Sequence, residues 1–108
     1  MMPREKFQAL TEQMFYILLC LKDECCGTDI MARVKQLSGG RVRVGPGTLY
    51  NLLEQFVEAD FIFQTRVEGR RRSYILTARG RKALQDEHRR ILAQAQDYTQ
   101  LMGEEEVP

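Results

Sequence analysis

Apolar residues recur at helical spacing in four stretches of the chain, while two further stretches alternate apolar with polar residues. In residues 11–22, Met14, Phe15, Ile17, Leu18, Leu19 and Leu21 leave almost no polar face, so this helix, capped by Thr11, must be buried on most sides. Phe7 and Leu10 continue its spacing backwards, since positions 7, 10, 14, 18 and 21 share one side. Gly27 breaks the chain. Thr28 or Asp29 then caps a second helix, which carries Ile30, Val34 and Leu37 at i, i+4 and i+7 and stops at Gly39 and Gly40. Residues 41–44 alternate basic and apolar side chains, as a short strand or an extended connector does. Pro46 suits the first turn of a third helix, where its missing N–H has no partner to lose. That helix runs to about Ala59 with Leu49, Leu52, Leu53, Phe56 and Val57 on one core face.

Residues 61–67 and 72–77 are rich in β-branched and aromatic side chains. Glu68, Gly69, Arg70 and Arg71 between them predict a β-hairpin with an arginine-loaded tip. Thr77 caps a last helix that reaches about Met102, with Gly80 its one weak point. Along it Leu84, His88, Ile91, Ala95, Tyr98 and Met102 are spaced alternately by four and three, a heptad-like seam suited to dimerisation. Asp86 can pair with Arg89 or Arg90 on the same helix. The expected fold class is mainly α with a small β-hairpin. Residues 1–76 form the first unit, residues 77–102 a dimerisation helix, and residues 103–108 a disordered acidic tail.

At 108 residues the chain has core for one domain, which excludes a large multi-domain enzyme. No apolar run is long enough to cross a bilayer and none has the flanks of a signal peptide, so a cytoplasmic protein without membrane contact is expected. The 16 basic and 15 acidic side chains nearly cancel, yet they are segregated. Residues 33–82 hold 11 basic and 4 acidic side chains, a net of +7, between a first segment at −2 and a last at −4. A polyanion can bind the middle of such a chain although the total is only +1.

Catalysis finds little material. The single histidine, His88, lies on the helical seam, where it reads as a polar register-setting residue rather than a base. No serine, cysteine or carboxylate pair stands in a nucleophile motif. Cys20, Cys25 and Cys26 are odd in number, crowded and without C-x-x-C spacing, which argues against a disulfide framework or a zinc site. Cys20 reads as a core residue. Vicinal Cys25 and Cys26, at a helix end, are reduced and inert by default, a redox-sensing thiol being the alternative. The run Gly45, Pro46, Gly47, Thr48 lacks the length and the lysine of a phosphate-binding P-loop. No enzymatic activity, metal or cofactor is expected.

The order helix, helix, helix, hairpin, with positive charge before the third helix and in the hairpin, is the layout of a winged helix-turn-helix, extended here by a long C-terminal helix. On a wheel of the third helix Asn51 falls nearly opposite the apolar centre, with Thr48, Tyr50 and Gln55 at the borders. Asn51 and Gln55 can each read adenine, and the hydroxyls of Thr48 and Tyr50 reach phosphates or bases. Glu54 and Glu58 share the exposed side and repel phosphates. Double-stranded DNA is therefore expected at the helix's N-terminal half, where the dipole and free N–H groups favour anions. Lys35, Arg41 and Arg43 precede that helix and can clamp backbone. Arg70, Arg71 and Arg72 repel one another at a hairpin tip unless an anion arrives, which makes them the expected wing contact. The alternative is a winged helix used purely for protein–protein interaction.

Several pieces in the same order resemble PadR-family transcriptional regulators, over about residues 8–90. Leu10, Thr11 and Glu12 with Phe15 to Leu19 look like the family's opening helix, and Gly27, Asp29, Ile30 and Met31 like its second, followed by Leu37 to Val42. Gly45, Pro46, Gly47, Thr48, Leu49 and Tyr50 resemble the signature that opens its recognition helix. Arg71, Arg72, Tyr74, Leu76, Thr77, Gly80 and Arg81 look like its wing strand and the entry to its C-terminal helix. The resemblance implies a homodimeric DNA-binding repressor with Thr48 and Tyr50 facing DNA. The single C-terminal helix is similar to that of the short subfamily, where it builds the dimer interface with the first helix. That implies an interface of Phe7, Leu10 and Met14 with Leu84, His88, Ile91, Ala95, Tyr98 and Met102. Some relatives take small aromatic effectors in the dimer cavity, for which Met14, Phe15 and Tyr98 are the candidate lining. Two departures stand out: Cys26 and Thr28 replace the usual histidine and aromatic residue, and no tryptophan is present to stack a ligand.

Overall fold

A computed structural model describes residues 9–103. Four helices, α1 (Glu12–Cys20), α2 (Gly27–Leu37), α3 (Pro46–Glu58) and α4 (Ala78–Met102), surround a three-stranded antiparallel sheet of β1 (Cys25–Cys26), β2 (Ile62–Glu68) and β3 (Arg71–Leu76), ordered β1-β3-β2. This is a winged helix with a long C-terminal helix, as the periodicity predicts. Phe7 and residues 104–108 of the expected acidic tail lie outside the described residues.

The helix caps follow the sequence. The Thr11 hydroxyl accepts the Met14 N–H at 3.1 Å, and the Thr77 hydroxyl accepts the Gly80 N–H at 3.0 Å. Leu10 does not extend α1. It lies before the cap, buried, and its N–H donates to Glu87 Oε1 at 3.2 Å, because Thr11 is extended (ψ 165°) and turns the chain off the helix axis. α2 starts earlier than expected. Cys26, not Thr28 or Asp29, occupies its N-cap, because Cys25 and Cys26 are drawn into a strand opposite Tyr74 and Ser73. The vicinal cysteines do stand at a helix end, the start of α2, and they also form a buried sheet edge.

Residues 41–44 form an extended connector and not a strand. Ser38 fixes it, since its hydroxyl accepts the Val42 N–H at 2.9 Å and donates to Val34 O at 2.8 Å. Val42 and Val44 drop into the core between the arginines. Ile17, Leu18, Leu21, Ile30, Leu49, Leu53, Phe56, Phe61 and Ile62 make the fully buried centre. Leu37 and Val57, expected on core faces, are exposed instead. Leu37 is the last residue of α2, whereas Val57 lies at the rim of the α3 face and lines an open cleft, between the buried Phe56 and Ala59.

Asp60 takes the left-handed conformation (φ 63°) that ends α3, and β2 follows. The β2–β3 hairpin closes through Gly69 and Arg70 alone, with Glu68 opposite Arg71. The register slips between Gln64 and Arg66, a bulge that sharpens the local twist of the wing. Gly80 marks a close approach: a Cβ there would stand 2.0 Å from Phe61 O. The residue that looks like a weak point of α4 is where the helix presses against the α3–β2 turn.

Candidate nucleic-acid interface

The N-terminus of α3 is open. Gly45, Pro46, Gly47 and Thr48 are exposed, and a Cβ at either glycine would meet nothing within 4 Å. Free N–H groups of the first turn point outward there, a setting that favours an anion. Thr48, Tyr50 and Asn51 are exposed, and Gln55 is half-buried at the border. Tyr50 lies across the start of α2, so close that a Cβ at Gly27 would stand 2.8 Å from its Cε1. That contact fixes the ring while leaving it 44% exposed.

Beside α3 stands the wing, and between them runs an open cleft of about 880 Å³. Tyr50, Glu54 and Glu58 line it from the helix, and Gln64, Arg70, Arg72 and Tyr74 from the hairpin. Tyr74 is buried at its floor, and that burial pushes its phenol pKa up. The three wing arginines do not act as one cluster. Side chains alternate along a strand, so Arg72 falls on the Tyr74 side and Arg71 on the Ser73 side. Arg71 Nη2 donates to Cys26 Sγ at 3.2 Å and lies 3.9 Å from Asp29. This guanidinium, with help from the Thr28 hydroxyl, lowers the Cys26 thiol pKa. Cys20, in contrast, is pushed up to about 11 by burial.

Of the approach residues, Lys35 and Arg43 are exposed. Arg41 is exposed too, but already engaged. It pairs with Glu12 at 2.5 Å, donates to the Tyr16 hydroxyl at 3.0 Å and stacks over that ring at 5.9 Å. The fold brings Tyr50, Arg70 and Arg72 to one cleft and leaves Thr48 and Asn51 exposed on α3 outside its lining, while Arg41 and Arg71 have protein partners of their own. Missed by the sequence reading were Gln64 and Tyr74 of the cleft and the pairing of Arg71. Period-two alternation along β3 is the signal that separates Arg71 from Arg72.

The dimer candidates divide as well. Leu10 is buried, while Met14 and Leu84 are half-buried against the core. His88, Ile91, Ala95, Tyr98 and Met102 are all exposed on a helix that has left the core behind. Phe15 is half-buried and meets Tyr16 edge-on at 5.7 Å. Glu87 is the last buried residue of α4. Asp86 pairs with Arg89 and Lys82, whereas Arg90 pairs with Glu87. Among the described residues no group of histidine, cysteine and acidic side chains could hold a metal ion, and no helix is long and apolar enough to cross a membrane.

Residues 17–86 match the family model described as the transcriptional regulator PadR-like family. Among solved structures, the complex structure of hsRosR-S4 is 25% identical with a TM-score of 0.69, covering 85% of this chain and 79% of that one. The complex structure of hsRosR-S1 is also 25% identical, with a TM-score of 0.67 and coverage of 85% and 78%. RosR from H. salinarum is 24% identical with a TM-score of 0.67, over 82% and 78% of the two chains. No curated protein matches the chain.

Proposed function

The chain belongs to the PadR-like family of transcriptional regulators, which bind DNA, and from that premise we propose that it is a homodimeric repressor of a pseudo-palindromic operator. The observation that carries this reading is the open N-terminus of α3 with the wing beside the same helix, Arg70 and Arg72 facing it across the cleft that Tyr50 lines. Asn51 and Gln55 read bases, Thr48 and Tyr50 hold phosphates, and Lys35, Arg41 and Arg43 clamp the backbone before α3. Arg70 and Arg72 meet the duplex from the cleft side of the wing and Arg71 from its other face. Residues 1–76 bind DNA and residues 77–102 pair two chains, setting the spacing of the half-sites. Met14, Phe15 and Tyr98 line the cavity that closes between protomers, where a small aromatic effector binds and releases the operator.

Binding that rests on phosphates weakens steeply with salt. Fluorescence anisotropy on a selected duplex across a salt series tests this. Arg70→Ala and Arg72→Ala together are expected to reduce the log–log slope by roughly 0.9 for each phosphate that is no longer neutralised. An unchanged slope removes the wing from the interface. No binding to any duplex at low salt would instead favour a winged helix that serves a protein partner.

A further inference from the structure

Glu54 is the side chain on α3 for which a phosphate-binding account has no use. Opposite the buried Leu49, Leu52, Leu53 and Phe56, the outermost line of the helix runs through Gly47, Asn51, Glu54 and Glu58, at i, i+4, i+7 and i+11. Glu54 is exposed on that line, one turn beyond Asn51, and no hydrogen bond or ion pair engages it among the described residues. It lines the cleft together with Tyr50, Arg70 and Arg72.

Distance separates the two glutamates. Glu54 lies roughly 12 Å along the helix axis from Pro46 at about 1.5 Å per residue. A recognition helix lies in the major groove with its N-terminal residues at the base edges, so Glu54, one turn beyond Asn51 on the same outward line, still faces the groove. Glu58 lies roughly 18 Å along and next to the C-cap Ala59, where it leaves the groove. A carboxylate only accepts hydrogen bonds. The major-groove edge of cytosine offers the N4 amino donor, whereas the adenine donor sits beside the N7 acceptor, which repels a carboxylate. Arg70 and Arg72, in the same cleft, offset the repulsion between Glu54 and the flanking phosphates.

We propose that Glu54 is a specificity-determining residue that selects cytosine at one position of each half-site. This rests on the DNA-binding reading above. Asn51 and Glu54 are about 4.5 Å apart along the axis, against about 3.4 Å per base step. The cytosine therefore lies one or two steps from the adenine that Asn51 takes.

The test is selection of bound sequences from random duplex DNA at low salt, using the full chain and the variants Glu54→Gln, Glu54→Ala and Glu58→Gln. The unsubstituted chain is expected to enrich cytosine at that position. Glu54→Gln and Glu54→Ala lose the preference there by roughly tenfold and keep the others, with Gln turning toward adenine. Glu58→Gln leaves it intact, and matching thermal midpoints show that every variant is folded. Cytosine enrichment that survives both Glu54 variants overturns the assignment and leaves DNA binding standing. So does a Glu54→Gln chain that binds all sequences more tightly by one factor, which makes Glu54 a repulsive surface charge only. An unsubstituted chain that enriches no sequence overturns the DNA-binding reading and the Glu54 assignment with it.

Discussion

Glu87 is a buried acid that the sequence pattern conceals. Its neighbours in spacing suggest surface ion pairs, and its backbone partner Leu10 is 77 residues away. In the fold its Oε1 accepts the Leu10 N–H while Oε2 pairs with Arg90, tying the segment before α1 to α4. The Arg90 guanidinium first, and then the Leu10 N–H, hold its carboxyl below the ordinary 4.5, against the opposing effect of burial. A folded value below the unfolded one means that the stabilisation is complete above about pH 5 and is lost as pH falls through the folded value. Glu87→Gln is therefore expected to cost about 1–3 kcal/mol at neutral pH. The gap should close under acid, where Glu87 itself becomes neutral. Urea denaturation at pH 7 and below pH 3 checks this, and a gap of equal size at both would remove the charge from the explanation. The thiols offer a second measurement at this scale. Absorbance of the thiolate should show Cys26 ionising below 9.0 and Cys20 near 11, and Arg71→Ala should move Cys26 upward.

Two glycines decide how the elements meet, and each predicts a different outcome. Gly80 has the Phe61 carbonyl 2.0 Å from where a Cβ would stand, and a backbone oxygen cannot rotate away. Gly80→Ala should therefore destabilise the protein by roughly 1–3 kcal/mol despite the better helix propensity of alanine. A raised thermal midpoint would show that α4 can slide off the α3–β2 turn. At Gly27 the obstacle is the Tyr50 ring, a side chain that can swing. Gly27→Ala should leave the midpoint nearly unchanged and lower DNA affinity, because it displaces Tyr50, a residue of the proposed interface. The same elements show what can be read in advance. Thr11 and Thr77 were legible as caps because capping is local, and so were Pro46 and the α3 core face. β1 was not, because two cysteines carry no strand pattern and become a strand only when β3 lies beside them. Leu37 fits the helical period but overruns the core, and Val57 falls at the rim of its face, since periodicity gives the direction of a face and not how far or how widely it is covered. Asn51 and Tyr50 could be placed from the wheel. The engagement of Arg41 with Glu12 and Tyr16 could not, being a contact across 29 and 25 positions.

At the scale of the molecule, the chain is too long for its core. It extends 53 Å in its longest direction, and its radius of gyration is 15.6 Å. A compact domain of this length has about 13 Å. The excess is α4: beyond Glu87 every described residue to Gly103 is exposed, among them Ile91, Leu92, Tyr98, Leu101 and Met102. A projecting helix gains little stability without an apolar face to bury, and an exposed patch of this kind marks an interaction surface. His88, Ile91, Ala95, Tyr98 and Met102 keep the spacing of a paired seam, so in the proposed dimer the occupant is a second copy of α4. Light scattering should then give twice the 12.6 kDa chain mass. Ile91→Glu with Tyr98→Glu should give the single mass, because it sets like charges along the seam in place of apolar side chains. Both positions are exposed beyond the last buried residue of α4, so the monomeric variant should retain the fold by circular dichroism. Its operator affinity should fall, since each half-site is then held alone. A doubly substituted chain that stays dimeric would place the pairing surface elsewhere, and one that is monomeric yet binds the full operator unchanged would separate DNA recognition from dimerisation.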